Sequence, residues 1–482
     1  MTQPPKAAAS SGANPFLLMA RRFGYILCAQ WGSGILVTLF MIVLARTGPD
    51  VLGQIAVAQA FGALVAMATS AGFTDFLVAR LNGRGNRPRR VLAEVFLLQT
   101  ILFALAMLCL ALAGAVLGHS AQKCLVLLLV SAGMGLSAMA ESFFVLCRTR
   151  GRQDVEMRIR IPASLLGSAH GLACVLLGLP LPILALFKLV EAAGQGLFIG
   201  RALAWRLPWP RLSRTWISGW AHSLTFAGMA ICALLYNRCN IYVLDAVSGE
   251  TAVGWYNVSW EIVDGICALI SGALLGKVVF PLLARQWATD QLAFGRISLA
   301  MGRFLLGMSL VPMYVLLLEA DRIVPLIFGP GYAPSVPVLH ALLPAIPAAF
   351  LHNLAAYMMI SMGRVRELLA VYVTGLAVSL LLCFLLIPGD GALGAGWVIS
   401  GTRLWMALGT VGFTALTVPC LKPIHLLGAL AAALAAWAGH SLLVPHLPRE
   451  GAELAGLLPL LVLAGNGLLA IYRSRPPRER TH

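Results

Sequence analysis

The sequence predicts an all-α, polytopic membrane protein with about 14 transmembrane helices. Three observations predict it. The 482 residues are 59% hydrophobic and 11% charged, where a soluble domain is roughly 25% charged, and the mean hydropathy is +0.86. The apolar residues form continuous runs, not the alternation of a β-barrel strand. Many runs reach the ~20 residues needed to cross a bilayer core of ~30 Å.

Residues 1–20 read as a disordered cytoplasmic tail, polar and then only briefly apolar, with no cleavable signal peptide evident. Arg21 and Arg22 precede helix 1, near 24–45, and the turn RTGPDVLG leads to helix 2, near 54–78. The loop RLNGRGNRPRR (80–90) carries five arginines, and helices 3 and 4 follow near 91–117 and 124–147. The segment RTRGRQDVEMRIR (148–160) holds five more, and helices 5 and 6 lie near 161–179 and 182–204, joined by a tight LPLP turn. A basic linker (206–218) precedes helices 7 and 8, near 219–245 and 252–283. After the polar loop 284–296 come helices 9 to 12, near 299–318, 336–362, 368–387 and 393–415. Two further apolar runs, near 424–443 and 454–472, and a basic cytoplasmic tail (473–482) close the chain.

The cationic residues test this count. With the N-terminus inside, the cytoplasmic turns hold the arginines of 80–90, 148–160, 201–214 and 285–303, with Arg364, Arg366, Lys422 and the tail. The opposite turns hold only Arg46, Lys123, Arg322 and Arg449. That asymmetry is the positive-inside bias and puts both termini in the cytoplasm; merging two neighbouring helices would destroy it. It also explains the net charge of +16 without nucleic acid, because the basic residues are short clusters between spans. The ten cysteines lie mostly in apolar runs without CxxC pairs, so they read as small core residues, not a metal site or disulfide framework.

A repeat is visible. RTGPDVLGQ after helix 1 matches VSGETAVGW after helix 7, with Gly48 and Gly53 spaced like Gly249 and Gly254; LVAR (77–80) matches LLAR (282–285). Six helices separate equivalent positions, so the halves keep one orientation, the parallel repeat of transporters whose substrate site lies between the halves. The expected organisation is an N-terminal lobe (21–205), a C-terminal lobe (219–417) and two appended helices (418–472).

Three stretches carry a family likeness: 44–66 with GFTDFLVARL (72–81); IYVLDAVSGETAVGWYNVSWEI (241–262) with PLLAR; and IFGPGYAPSVPVLHALLPAIPAAF (327–350), leading into IPGDGALGAGWVIS (387–400). The chain resembles the polysaccharide-type flippases, the O-antigen and lipopolysaccharide repeat-unit exporters of the multidrug/oligosaccharidyl-lipid/polysaccharide exporter superfamily. The resemblance covers most of the chain from helix 1 to helix 12. It implies a bacterial inner-membrane protein that moves undecaprenyl-pyrophosphate-linked oligosaccharide to the outer leaflet. Its partners would be that lipid-linked oligosaccharide, membrane lipid and a polysaccharide polymerase complex; no cofactor, metal or nucleic acid is expected. Many relatives have an acidic residue shortly after the helix-7 arginine. Here Asn240 stands there and offers no carboxylate for ion coupling.

Ionisable groups at bilayer depth cost at least ~2.5–3.5 kcal/mol and usually face a bundle interior or watery cavity. Arg238, flanked by Asn237 and Asn240 in helix 7, is the leading cation for an anionic headgroup, with an ion pair to Glu261, Asp264 or Glu141 as the bland reading. Lys188 sits three residues from Glu191, which suits an intrahelical pair or a headgroup contact. Glu261, Asp264 and Glu141 are coupling-ion candidates. Arg403 in helix 12 and Glu141 in helix 4 read as lone intramembrane charges, each either functional, with Arg403 a substrate-binding candidate, or a lobe-stabilising contact. Trp260, with Tyr242, Trp255 and Tyr256, offers faces for sugars or an interfacial belt. His340, His352 and Asn353 suit cavity walls or satisfied core groups, and Thr74, Asp75 and Lys277 near helix ends suit snorkelling. Pro334, Pro337, Pro344 and Pro347 mark helix 10 as a bending element.

The sequence holds no GxxxxGK[ST] loop, so nothing points to ATP hydrolysis or to an enzyme. The competing readings are a drug or cation antiporter of the same superfamily, a glycosyltransferase or ligase acting on lipid-linked sugars, and a scaffold for envelope assembly.

Overall fold

The computed structural model describes residues 15–81, 88–203, 208–209 and 224–473. Residues 1–14 of the expected tail, the linker 206–218 apart from Pro208 and Trp209, and everything after Arg473 lie outside the described residues, as do the side chains of Thr74, Asp75 and Lys277. Among the described residues every regular element is a helix.

Among the described residues, twelve helical segments are long and apolar enough to cross a membrane, and two of these are too long for a single crossing. Leu224–Ala268 (45 residues) breaks at Gly249, with φ 79 and ψ 179, and Val365–Ala415 (51 residues) breaks at Gly391, with φ 54 and ψ −125. At ~1.5 Å per residue each would run roughly 68–77 Å, more than twice a bilayer core, so each supplies two crossings. The total is the expected 14 helices.

The structure corrects several boundaries. Helix 2 is not continuous to Val78: α2 (Pro49–Ser70) stops at Ala71 and Gly72, both at positive φ, and α3 (Phe73–Leu81) follows. The arginine-rich stretch 148–160 is not a loop. After α4 (Pro88–Val116), α5 runs Ala121–Thr149 and α6 runs Gln153–Leu176, so five arginine-bearing positions fall largely on helix ends. Polarity marks where a segment leaves the lipid, whereas a helix can continue beyond it. Likewise Gln291–Phe328 begins well before the apolar run at 299, where the Asp290 carboxylate accepts from the Ala293 amide at 2.9 Å and caps it. Helix 10 is divided into Ser335–Leu342 and Ala345–Ser361. The break falls at Leu343–Pro344, where proline removes a backbone donor.

By packing, the chain forms two units: 1–43 with 61–223, and 44–60 with 224–482. In the first, α5 and α6 pack against α8 (Phe187–Leu203), with Phe143, Phe144, Ile159 and Leu203 in one buried cluster. In the second, the helix-10 segments form the centre, with Leu339, Leu342, Ile346, Leu354 and Met359 fully buried. The turn after helix 1 packs here too. A Cβ on Gly53 would lie 1.8 Å from the Glu250 carbonyl oxygen, and one on Gly254 would lie 1.9 Å from that of Pro49. The two glycines that the repeat pairs in sequence thus meet reciprocally in space. Lipid gives little apolar drive between helices, so such close backbone approach is a main source of packing energy. The last two helices, Pro423–Leu443 and Arg449–Arg473, belong to the same unit. There Arg449 pairs with Glu319, Asp321 and Glu453 at 2.9–3.0 Å.

Candidate binding cavity of the second unit

The second unit encloses a cavity of about 240 Å³. Tyr236 and Asn237 of helix 7, Asp264 and Cys267 of helix 8, His352 and Asn353 of helix 10, and Arg403 and Met406 of helix 12 line it. Helical spacing explains the set: 264 and 267 share one face at i,i+3, as do 403 and 406.

Arg403 is the organising charge. It is 8% exposed. Its Nη2 donates to Asp264 Oδ1 at 3.0 Å and its Nη1 to Cys267 Sγ at 3.4 Å. The guanidinium carbon lies 4.7 Å from the centre of the Trp260 ring, within cation–π range, and Trp260 stacks on Tyr256 with centroids 6.3 Å apart. Four residues on one helix, Tyr256, Trp260, Asp264 and Cys267, therefore hold an arginine from another. His352 Nδ1 lies 3.3 Å from Thr410 Oγ1, while its Nε2 has no hydrogen-bond partner among the described residues. The Asn237 amide nitrogen donates to the Ala233 carbonyl at 2.8 Å.

The remaining sequence candidates fall elsewhere. Arg238 is next to Asn237, about 100° further round the helix, and does not line the cavity. It is part-buried and its side chain makes no hydrogen bond or ion pair among the described residues, although its charge is felt at Glu261. Glu261 is exposed. Asn240 is fully buried, beside the Tyr256 hydroxyl, and Trp260 is 3% exposed beneath Arg403. Both support the cavity wall and offer no surface to it.

Two expectations are corrected. Arg403 is not a lone charge, since Asp264 pairs with it. Glu141 is not one either: it pairs with Arg148 at 2.8 Å and Arg160 at 2.5 Å, and both arginines also reach the fully buried Glu156. This four-membered network sits in the first unit, and Lys188 there pairs with Glu191 at 2.8 Å. The second unit's site carries both signs of charge, because Arg403 faces Asp264 and Arg238 lies within the field of Glu261. Low dielectric makes an unopposed buried charge costly, so each cation acquires a nearby anion. The sequence did not single out Tyr236, Cys267 or Met406. Cys267 carried a usable signal, one turn after Asp264 on the same face.

The family described as polysaccharide biosynthesis protein matches residues 43–337, more than half of the chain. The chain belongs to that family. No curated protein matches the sequence. Among solved structures, this polysaccharide biosynthesis protein is similar to the lipid II flippase MurJ in an inward closed conformation: TM-score 0.69 and 12% identity, over 95% of this chain and 99% of that one. It is also similar to an inward-facing multidrug resistance MATE family transporter of the MOP superfamily, with TM-score 0.61 and 15% identity over 80% and 94%. A MOP superfamily transporter from Pyrococcus furiosus, described as having a binding pocket of reverse polarity, aligns with TM-score 0.54 and 13% identity over 84% and 96%. At these identities the likeness is one of fold, shared with a lipid flippase and with multidrug transporters.

Proposed function

We propose that this multi-pass membrane protein is a flippase. Its cargo would be a polyprenyl-pyrophosphate-linked oligosaccharide, a polysaccharide repeat unit, moved from the inner to the outer leaflet of the bacterial inner membrane by alternating access. Membership of the polysaccharide biosynthesis family carries the reading. The repeat lobes 21–205 and 219–417 are its working parts, both termini are cytoplasmic, and the exported unit passes to a polysaccharide polymerase. The arginine asymmetry of the turns supports that orientation.

The second unit supports the cargo. Arg238 is a cation at bilayer depth with no ion pair among the described residues, which makes it the available partner for a pyrophosphate. Arg403 is already held by Asp264 and would orient the sugar-facing wall. In a strain lacking the gene, the wild-type protein should restore surface polysaccharide and clear inner-leaflet lipid-linked intermediate. Arg238→Ala should cut export roughly ten- to hundredfold, the loss of one charge-assisted contact, while Arg238→Lys retains part. A deletion strain that fails to make the intermediate would point to an enzyme, and unchanged export with Arg238→Ala would exclude the headgroup role.

A second reading, a cation-coupled antiporter, draws on one observation: Glu261 is exposed and Asp264 is 44% exposed within a membrane-spanning segment. It predicts sodium- or proton-driven efflux of a cationic dye from vesicles, abolished by Glu261→Gln. A flippase without coupling gives no such efflux.

A further inference from the structure

The first unit carries a second pair of cavities that the transport reading does not use. One is an open apolar groove of about 640 Å³ along three helices: Phe96 and Thr100 of α4, Leu136 and Met139 of α5, and Ala193 and Gly196 of α8. The other is a pocket of about 220 Å³ at the arginine-rich end of the same helices. Both are lined by Leu203, so they adjoin at that side chain. Phe143, Leu146 and Val155 form the pocket's apolar wall, and Arg89, Arg150 and Arg152 its rim.

The charge at that rim is unbalanced. Arg148 and Arg160 are consumed by Glu141 and Glu156, and Arg90 pairs with Glu94 at 3.3 Å. The side chains of Arg89, Arg150 and Arg152 make no hydrogen bond or ion pair among the described residues. The carboxylate left nearby is that of Asp154, whose field reaches Cys147 in the pocket wall. Three cations thus ring an apolar pocket that adjoins an apolar groove.

We propose that this site holds an anionic phospholipid, with its phosphate among Arg89, Arg150 and Arg152 and one acyl chain along α4, α5 and α8. Basic pockets between membrane helices at the cytoplasmic side recognise such headgroups. The dimensions select the lipid. From Leu189 to Leu203 the groove follows α8 for roughly 21 Å, more than one leaflet's ~15 Å share of a ~30 Å core but short of the whole core. That suits an acyl chain that spans one leaflet and not the far longer tail of a polyprenyl lipid. The site is built from the first unit alone and does not depend on the flippase reading.

The test uses the full-length protein in bilayer nanodiscs of phosphatidylcholine, doped with phosphatidylglycerol bearing a photoreactive group on one acyl chain. Labelling should map to peptides of Pro88–Val116, Ala121–Thr149 and Phe187–Leu203, exceeding that by the matching phosphatidylcholine probe. Replacing Arg89, Arg150 and Arg152 with glutamine should lower it at least about tenfold, since each basic residue near a membrane surface is worth roughly fivefold. Gly196→Phe directs a ring into the groove from a position where nothing lies within 4 Å of a Cβ; it should lower labelling to a similar extent while leaving the protein monodisperse. Equal labelling by both probes would overturn the proposal, as would labelling that survives either variant. So would labelling confined to a photoreactive polyprenyl phosphate.

Discussion

Gly254→Ala is expected to destabilise the protein by about 1–3 kcal/mol, the usual range for overpacking, and to do so through backbone displacement. The added methyl carbon would sit 1.9 Å from the Pro49 carbonyl oxygen, with the Pro49 carbonyl carbon at 2.8 Å. No side-chain rotation relieves that, so the turn after helix 1 must move away from helix 8. Gly53→Ala meets the Glu250 carbonyl in the same way at 1.8 Å and should cost as much. The double variant should cost less than the two singles together, because one displacement relieves both overlaps. Two controls separate this cause from others. Gly249→Ala meets nothing within 4 Å but holds φ 79 and ψ 179, so it should cost about 1–3 kcal/mol through backbone conformation alone, with no displacement of the neighbouring turn. Gly265→Ala has open space and no positive φ, so it should be neutral or slightly stabilising. Thermal unfolding in detergent should rank the four. If Gly254→Ala were as stable as Gly265→Ala, the close approach would be wrong.

Asp264→Asn should be the most damaging single change in the cavity. It leaves the Arg403 guanidinium, 8% exposed, without its counterion. Removing one partner of a buried pair costs roughly 3–5 kcal/mol. Asp264 is 44% exposed, so water screens part of the attraction, and roughly 2–3 kcal/mol is expected. Arg403→Met should cost less, since the remaining carboxylate can hydrate, although it forfeits the contact with Trp260. The asymmetry is the signature: Asp264→Asn below Arg403→Met in unfolding temperature, with the double variant recovering above Asp264→Asn. Strict additivity in that cycle would mean the two groups do not interact.

Much of this molecule is legible in one dimension. A bilayer demands ~20 apolar residues per crossing and internal satisfaction of every backbone group, so composition alone marks the spans. The spacing of Gly48 and Gly53 against Gly249 and Gly254 reveals the repeat because the first of each pair holds a positive φ and the second lets two backbones touch. Helix ends are less legible. Residues 153–160 are polar and helical together, and polarity reports only the exit from lipid.

The sequence by itself determined the class, the 14 helices, the places where chain direction breaks at Gly249 and Gly391, and which charges are too costly to be incidental. Only the tertiary structure decided how those charges are used. Arg403 and Asp264 are 139 positions apart and meet at 3.0 Å, whereas Arg238, the better-flanked arginine, is left without a bond among the described residues. Apolar periodicity places a residue on a helix and on a face of it. Which face meets which is fixed by backbone approach at a few small residues, and in a low-dielectric interior that approach determines which ions are neutralised.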